Sequence, residues 1–485
     1  MAHTSPGAPR DTAGRASGTA GAWAALGGAP ALLERVTFTG AGALPSRLPV
    51  RELARSAVAV CSLAAAELAA LRGGGGVPAV TVDDGAVTTA FLGDRLVRVG
   101  GVAPTTFAPL SRFWRTADGW VRTHANYPHH RARLLAALGL PKDTDAREDG
   151  GVAAVAAVLG GRRARDVEET VYAAGGLAVA VRTADEWAAH PQGAAVAGRP
   201  LLVTDRIGGE GPRRAPGGPG LPCAGLRVLD LTRVLAGPVA SRTLALLGAD
   251  VLRIDSPGLP ESQDAHDDTG LGKRSALLDL ARRDDRGVFE ELLASADVVL
   301  TGYRPGALDR YALTPRELAA RRPGLVVARL SAWGRHGPWA GRRGFDSLVQ
   351  AASGIALEEG GGASPGALPT QALDHGSGYL LAAGVLRSLT EQHTAGGARL
   401  VEVALAQTAA WLTHGLDAGP APAPEGYAEG RWLTERATPR GVLRHARPAV
   451  AYAGGPEDWA APSGLLGADA PAWRARPGGT APVRG

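Results

Sequence analysis

The chain has 485 residues, of which 45% are hydrophobic, and this excludes a globally disordered protein and allows two or three domains. The formal net charge is +5, from 52 basic and 47 acidic residues. That balance does not indicate a nucleic-acid surface, although it allows a pocket for an anionic ligand. The two cysteines, Cys61 and Cys223, form neither a disulfide framework nor a metal pattern, so a reduced, cytoplasmic setting is expected.

Residues 1–30 are predicted to be a flexible tail, and residues 1–20 lack the apolar core of a signal peptide. We expect no membrane span, because no stretch is predicted to reach the roughly 18 apolar residues that one needs. Segment 48–92 aligns without a gap with segment 368–412, at a constant offset of 412 − 92 = 320. Chance similarity between alanine-rich helices is the alternative explanation, but the gapless run from helix into strand favours a duplication.

Two stretches rich in Pro and Gly, 207–224 and 416–430, are predicted connectors. Between them, strands are predicted to alternate with helices, and one helix opens with a capping box formed by Thr314 and Glu317. The strands are predicted at 226–231, 250–255, 297–303 and in "GLVVARLSAWG". Their near-continuous Val, Leu and Ile predict a parallel sheet covered on both faces. The turn "TRVLAGPVAS" lacks the G-x-G-x-x-G fingerprint, so a nicotinamide or flavin cofactor is not expected.

The stretch "PTQALDHGSGYLLAAGVLRSL", residues 369–389, places one carboxylate, Asp374, ahead of an apolar helical stripe and among Gly and Ala. Asp374 is either a helix N-cap, which is a common role, or a group that something large must reach. In the duplicated segment the equivalent residue, at 374 − 320 = 54, is Ala54. Only one of the two copies therefore carries the acid.

Several motifs follow one another across residues 224–415: "LRVLDLTRVLAGP", "LGADVLRIDSPG", "GKRSALLDL", "TGYRPGALDRYAL", "SAWGRHGPWAGRRGFDSLVQAASG" and "ALDHGSGYLLAAGVL". In this order they resemble the family III CoA-transferases, also called the CaiB/BaiF family. The resemblance implies an α/β fold: an open, Rossmann-like large domain with a mainly parallel sheet, plus a smaller α/β domain. It also implies transfer of CoA from an acyl-CoA thioester to a free carboxylic acid through a covalent aspartyl-enzyme intermediate, with Asp374 as the nucleophile. The small residues around Asp374 would then leave room for an acyl-pantetheine arm.

The resemblance also suggests an unusual domain order. Residues 105–205 are similar to the family's small domain, which normally follows the large domain, and residues 431–475 resemble its tail. The predicted divisions are a tail (1–30), a truncated, degenerate large-domain-like copy (31–100), a small α/β domain (101–206), a linker (207–224), the CoA-binding catalytic large domain (225–415), and a connector with a C-terminal tail that returns to the large domain (416–485). The expected assembly is either a homodimer or a monomer whose N-terminal half supplies the family's dimer contact.

CoA carries phosphates, so cations are expected on the loops at the strand ends. Arg253, Lys273, Arg274 and Arg304 are the predicted CoA-binding residues, each with a solvated surface charge as the alternative. Neither a metal nor a tightly bound cofactor is expected. Coenzyme A enters as a substrate in its acyl-CoA form, and the expected partners are acyl-CoA and a small carboxylic acid, with no nucleic acid and no membrane.

Phe345 helps to discriminate a CoA-transferase from a racemase. Related racemases of 2-methylacyl-CoA thioesters resemble this fold but carry a His at this place, and Phe can neither donate nor accept a proton. A racemase-like isomerase is therefore the alternative to a CoA-transferase, and a catalytically idle CoA-binding homologue is the third hypothesis. His375 is interpreted as structural, and the paired His129 and His130 are predicted to lie on the surface of the small domain.

Overall fold

The computed structural model describes residues 18–144, 149–209, 220–417 and 426–475. The α-helices of these residues are α1 Gly18–Ala25, α2 Val50–Gly73, α3 Asp84–Phe91, α4 Gly93–Leu96, α5 Pro128–Leu138, α6 Asp149–Gly160, α7 Ala164–Ala173, α8 Ala184–Ala189, α9 Pro191–Ala197, α10 Ala236–Leu246, α11 Gln263–Thr269, α12 Arg283–Leu293, α13 Pro315–Arg321, α14 Asp346–Ala352, α15 Ile355–Glu359, α16 Ala372–Ala395 and α17 Leu405–Ala410. The strands are β1 Val36–Thr39, β2 Val80–Asp83, β3 Arg98–Val99, β4 Phe113–Arg115, β5 Trp120–Thr123, β6 Ala178–Ala180, β7 Leu202–Arg206, β8 Arg227–Leu231, β9 Asp250–Asp255, β10 Arg274–Leu277, β11 Val298–Thr301, β12 Val326–Ser331, β13 Arg399–Ala404, β14 Leu433–Thr438 and β15 Gly441–Ala446.

A seven-stranded sheet forms the large domain, in the order β10–β9–β8–β11–β12–β13–β7. All neighbouring strands in it are parallel except β7, which runs antiparallel to β13 at one edge. Alternate residues of β11 enter different cores: Val298 and Leu300 pack with α10 and α16, while Val299 packs with α12 and α13. This burial on both faces explains the uninterrupted apolar strands, and the predicted α/β fold with a mainly parallel sheet is confirmed.

The small domain contains the antiparallel sheet β4–β5–β6, which packs against α5, α6 and α7 around a separate hydrophobic core. The end of the predicted small domain, residues 202–206, forms β7 of the large sheet instead. There Leu202 pairs with Val403 of β13. In this position Leu202 is buried against the large domain. Strand propensity does not determine which sheet a strand joins, because that depends on tertiary contacts. Of the predicted linker 207–224, residues 210–219 lie outside the described part of the chain, as do residues 418–425 of the second connector.

The N-terminal region corrects one prediction. Residues 18–25 form helix α1 rather than a flexible tail; Trp23 is 1% exposed and Leu26 is fully buried. The Oγ1 of Thr19 lies 3.0 Å from the Oγ of Ser56 on α2. Burial of a Trp and a Leu against α2 orders this segment despite its small, polar composition. Residues 1–17 lie outside the described part of the chain.

Helix α2 corrects a second prediction. It is 24 residues long and, by length and composition alone, could cross a membrane, whereas no stretch of that kind was expected. It is the one such helix among the described residues, and 78% of its most apolar window is buried inside the molecule. Its partners are α1 and α16, so its apolar character belongs to the protein core.

The C-terminal residues lie against earlier parts of the chain. Strands β14 and β15 form a three-stranded antiparallel sheet with β3. Beyond them, the indole of Trp459 donates to the carbonyl of Arg242 at 2.8 Å, and the carboxylate of Asp469 accepts the Ser275 N–H at 2.8 Å. Residues 459–473 thus contact helices α10 and α12 and the edge strand β10 of the large domain.

Candidate active site

A cavity of about 490 Å³ lies at the carboxyl ends of the parallel strands. Each of β8 to β13 contributes residues at or just after its last position, for example Arg233 after β8 and Arg304 after β11. Open parallel α/β sheets bind ligands at this edge, because the loops that follow the strands converge there. The opposite wall comes from α5 of the small domain, through Tyr127, His129 and His130.

Direct contacts attach this small-domain wall to the large domain of the same chain. The ring of His124 stacks on the ring of Phe345 with centroids 3.7 Å apart and planes 5° from parallel. The hydroxyl of Tyr127 donates to Glu261 at 2.7 Å. The hydroxyl of Tyr172 donates to the carbonyl of Arg343 at 2.9 Å. One polypeptide therefore provides both walls of the cavity.

Asp374 lines this cavity from the first turn of α16 and is 7% exposed. The helix begins at Ala372 with Gln371 as its N-cap, so the N-cap interpretation of Asp374 is wrong. The backbone N–H of Asp374 donates to Oδ2 of Asp346 at 2.9 Å, and Asp346 Oδ1 accepts from the amide of Gln350. Asp346, at the start of α14, thus holds the first turn of α16 in place. Asp346 was not among the residues predicted from the sequence, although it stands directly after Phe345 in "GFDSLVQ".

The environment of Asp374 favours its neutral form. Burial raises the pKa of this carboxyl well above its usual value, and the charges of Asp346 and Asp94 raise it further. Burial also raises the pKa of Asp346 to about 6, against the lowering effect of the hydrogen bonds from Gln350 and the Asp374 N–H. A carboxyl with a raised pKa is a stronger base once it is ionised, and such groups are frequent at functional sites.

The small residues that follow Asp374 have a different role from the one predicted. A Cβ added at Gly376 would lie 2.6 Å from Cδ2 of Leu53 on α2, and one at Gly378 would lie 2.6 Å from the carbonyl oxygen of Ala236 on α10. A Cβ at Gly384 would lie 2.5 Å from Cγ1 of Val401. These glycines allow close packing of α16 on its neighbours, so the expectation that they make room for a pantetheine arm is wrong.

Of the four predicted CoA-binding cations, Arg304 lines the cavity. The other three are committed to carboxylates in the fold, which contradicts the prediction. Arg253 is 1% exposed and its Nε lies 2.8 Å from Asp255, and the ammonium of Lys273 is buried 3.1 Å from Asp230. Arg274 forms an ion pair with Asp250 at 2.8 Å, and both stand at the amino ends of their strands, opposite to the cavity. The spacing of Arg253 and Asp255 could have revealed their pairing, because residues i and i+2 share one face of a strand.

Further arginines that line the cavity were not predicted from the sequence, and the histidine pair was expected on the surface. The missed arginines that line the cavity are Arg133, Arg233, Arg310, Arg342 and Arg343. Burial lowers the pKa of Arg343, and the charges of Arg304 and Arg133 lower it further, so several positive charges face one space. His130 is 4% exposed and lines the same cavity with the half-buried His129, so the prediction that this pair lies on the surface is wrong for His130.

His375 lies away from the cavity. It is fully buried, its ring stacks on Phe91 with centroids 5.0 Å apart, and its Nε2 is 3.5 Å from Asp94. These contacts agree with the structural role expected for it. Among the residues that the structure describes, no group of three or more His, Cys, Asp or Glu side chains is arranged to hold a metal ion.

The profile of CoA-transferase family III matches residues 223–477, more than half of the chain. A probable fatty acyl-CoA transferase of Mycobacterium tuberculosis is 35% identical over 40% of this chain and 53% of its own length. An acetyl-CoA:oxalate CoA-transferase of Acetobacter aceti is 33% identical over 41% and 55%. The chain thus spans about half the length of these curated relatives.

Among solved structures, a CaiB/BaiF family protein of Brucella suis is 24% identical, with 46% of this chain and 65% of that chain covered and a TM-score of 0.36. The extent of the profile match, which runs from the start of the large domain to the C-terminal segment, shows the family. This chain belongs to CoA-transferase family III.

Proposed function

We propose that this chain transfers CoA from an acyl-CoA thioester to a free carboxylic acid, with Asp374 as the nucleophile. The observation that carries the proposal is the position of Asp374, a desolvated carboxylate in the first turn of α16 that faces a cavity lined by arginines at the strand ends. The relatives named for oxalate and for fatty acyl-CoA support a thioester donor and a carboxylate acceptor.

The reaction proceeds by exchange at acyl carbons. The Asp374 carboxylate attacks the thioester carbonyl, the C–S bond breaks, and the CoA thiolate leaves a mixed anhydride on the enzyme. The thiolate then attacks the aspartyl carbonyl, the first acid departs as a carboxylate, and an aspartyl-CoA thioester remains. An incoming carboxylate repeats these steps in reverse and regenerates Asp374. One difficult exchange becomes several easier ones, which is the logic of covalent catalysis.

The residues around Asp374 have defined roles in this proposal. The positive end of α16 favours the oxyanion that forms at the attacked carbonyl. Asp346 holds the first turn, so the carboxylate is presented in one orientation. Arg304 and Arg310 of the cavity bind the phosphates of CoA, because the planar guanidinium suits bidentate contact with a phosphate.

The test is mass spectrometry of the full chain, and then of its proteolytic peptides, after incubation with a panel of acyl-CoAs and hydroxylamine. We expect one hydroxamate on the peptide that contains Asp374, formed only when an acyl-CoA is present. The matched control is Asp374→Asn, which should remain unmodified. A hydroxamate at another residue, or transfer activity without any trapped adduct, would refute the assignment.

A second candidate, proton exchange at the α-carbon of a 2-methylacyl-CoA, has one supporting observation. Phe345 replaces the expected histidine, but the structure brings His124 to within 3.7 Å and His130 to within 6.0 Å of its ring, measured between centroids. An imidazole and a carboxyl facing one cavity could act on opposite faces of a carbon. Deuterium uptake from solvent into a 2-methylacyl-CoA, without an acceptor acid, would favour this reaction. CoA binding with neither activity would favour an idle homologue.

A further inference from the structure

His130 is a buried polar side chain that the proposed reaction does not use. It stands in the first turn of α5, is 4% exposed and lines the cavity. Among the residues that the structure describes, neither of its ring nitrogens has a hydrogen-bond partner. Buried polar groups in native proteins normally have a partner, so a ligand that enters the cavity is the natural one.

A ring contact places His130 beside Phe345, whose neighbour Asp346 holds the first turn of α16. Its ring centroid is 6.0 Å from that of Phe345, and the next residue, Asp346, accepts the N–H of Asp374 at 2.9 Å. The ring of His129 packs against it, with centroids 4.1 Å apart. His130 and Asp374 line the same cavity, so a small acid that reacts at Asp374 can place a second group at His130.

The charges around His130 select an anion. Arg133, Arg233 and Arg343 lie near it, and burial together with His129 and these three arginines lowers the pKa of His130 to about 3, so the imidazole is neutral and can donate one N–H. Within the described residues, neither Arg133 nor Arg343 forms an ion pair with a carboxylate, whereas Arg233 pairs with Glu261. Tyr172 and Trp333 both donate to the backbone carbonyl of Arg343 and so fix its position.

The backbone adds to this preference. Helix α5 has 11 residues and points its N-terminal turn at the cavity, where the partial positive charge of the helix favours an anion.

We propose that His130 and Arg343 bind the second, non-reacting carboxylate of a short dicarboxylic acid whose first carboxylate reacts at Asp374. This inference rests on the proposed function and names the class of its acid substrate. The same donors could hold a phosphate of CoA, and the two sources of negative charge are separated in the test below.

The test that does not depend on turnover is NMR of the full chain labelled with ¹³C at the histidine rings. Succinate should shift one ring signal, identified as that of His130 by its absence in His130→Asn, and the shift should persist at saturating CoA. Monomethyl succinate, which has nearly the same shape but only one charge, should leave that signal in place. An equal shift with the monoester, loss of the succinate shift when CoA is added, or no shift at all would overturn the proposal.

The kinetic test compares Arg343→Gln and His130→Phe with Arg131→Gln, a variant of the same helix outside the cavity lining. The KM for succinate should rise about tenfold or more in the first two variants, with little change in kcat, because a contact made equally in the ground and transition states is lost. The KM for monomethyl succinate should stay unchanged. Arg343→Gln changes an exposed side chain and guards against a folding defect in His130→Phe.

These outcomes separate the inference from the proposed function. Equal losses for succinate and its monoester, or solvent deuterium uptake that depends on His130, would overturn the dicarboxylate assignment even if hydroxylamine traps Asp374. A succinate shift at His130 in a protein that forms no adduct would support the subsite and reject the transfer mechanism.

Discussion

Two regions of the molecule share one skeleton, and only one of them presents an acid, Asp374, to the cavity at the strand ends. The segment α2–β2–α3 corresponds to α16–β13–α17 at the offset of 320 residues, and both long helices have 24 residues. The two helices pack on each other, and Glu67 and Arg387, which are equivalent by that offset, form an ion pair. The N-terminal copy thus covers one side of α16.

The two copies differ in how they treat negative charge. In the C-terminal copy the carboxylate of Asp374 faces a cavity, with no recorded ion pair among the described residues. In the N-terminal copy the equivalent residue is Ala54, and the nearby acid, Asp84, is bound by Arg51 and Arg55. The same skeleton thus folds both with an acid neutralised by arginines, as at Asp84, and with an acid that has no ion pair among the described residues, as at Asp374.

The largest expected effect is that of Asp374→Asn. Turnover should fall at least about 1000-fold, because the proposed aspartyl intermediate forms on this carboxylate. Adding Ala54→Asp to that variant should not restore activity, since no strand ends equivalent to β8–β12 surround residue 54. The measurement is exchange of labelled acid into acyl-CoA, and residual activity within tenfold of the parent would contradict the nucleophile assignment.

Deletion of residues 1–100 should cause aggregation. It removes α1 and α2 and exposes the face of α16 that contacts Leu53, and large exposed apolar surfaces associate in water. The control is deletion of residues 1–17, which removes no contact described in the structure. The fraction of soluble protein and the sedimentation coefficient are the measurements, and a soluble, active protein lacking residues 1–100 would refute the covering role.

Arg304→Gln should raise the KM for acyl-CoA about tenfold and leave kcat nearly unchanged, because the lost phosphate contact is present in the ground and transition states alike. Arg253→Gln is the contrasting variant. It should lower thermal stability, since it leaves Asp255 buried without its cation. The opposite pattern, with affinity lost at residue 253 and retained at residue 304, would reverse the two assignments.

Glu67→Gln tests the contact between the copies. It should lower the free energy of unfolding by about 1–3 kcal/mol, because it weakens a charged hydrogen bond to Arg387, whose side chain is 8% exposed. Glu290→Gln, which affects a more exposed pair with Arg321, should cost about 0.5 kcal/mol or less. Urea unfolding of both variants provides the comparison, and equal costs would mean that the contact between the copies has no special weight.

The smallest expected effect is a dependence of stability on pH. The folded-state pKa of Asp374 is raised, so the folded protein retains a proton that the unfolded chain releases, and stability falls as pH rises from the unfolded pKa through the folded one. Asp374→Asn removes this loss. Its melting temperature should exceed that of the parent by more at pH 8 than at pH 4, and a difference that does not grow with pH would contradict the raised pKa.

The site was predictable only in part from the sequence. Asp374 stood out because its copy lacks it and because the surrounding motifs resemble a family. Three of the four predicted cations pair with carboxylates instead; Lys273, for example, finds its carboxylate 43 residues away on β8, which β9 separates from β10 in the sheet. His130 was assigned to the surface because a single pair of histidines carries no periodic signal, and only the docking of α5 on the large domain buries it.

The order of helices and strands, the parallel sheet, the similarity of residues 48–92 to residues 368–412 and the position of Asp374 could all be predicted from the sequence. Apolar periodicity, capping residues such as Thr314 and Glu317, and Gly and Pro at turns act within a few residues, so they can be read locally. Three properties depend on the tertiary structure. They are which charged side chains form ion pairs, at which glycines a neighbouring element packs closely, and which small-domain side chains line the cavity with Asp374. Those properties depend on partners far away in the chain, because burial and ion pairing arise only when the sheet, the N-terminal copy and the small domain come together.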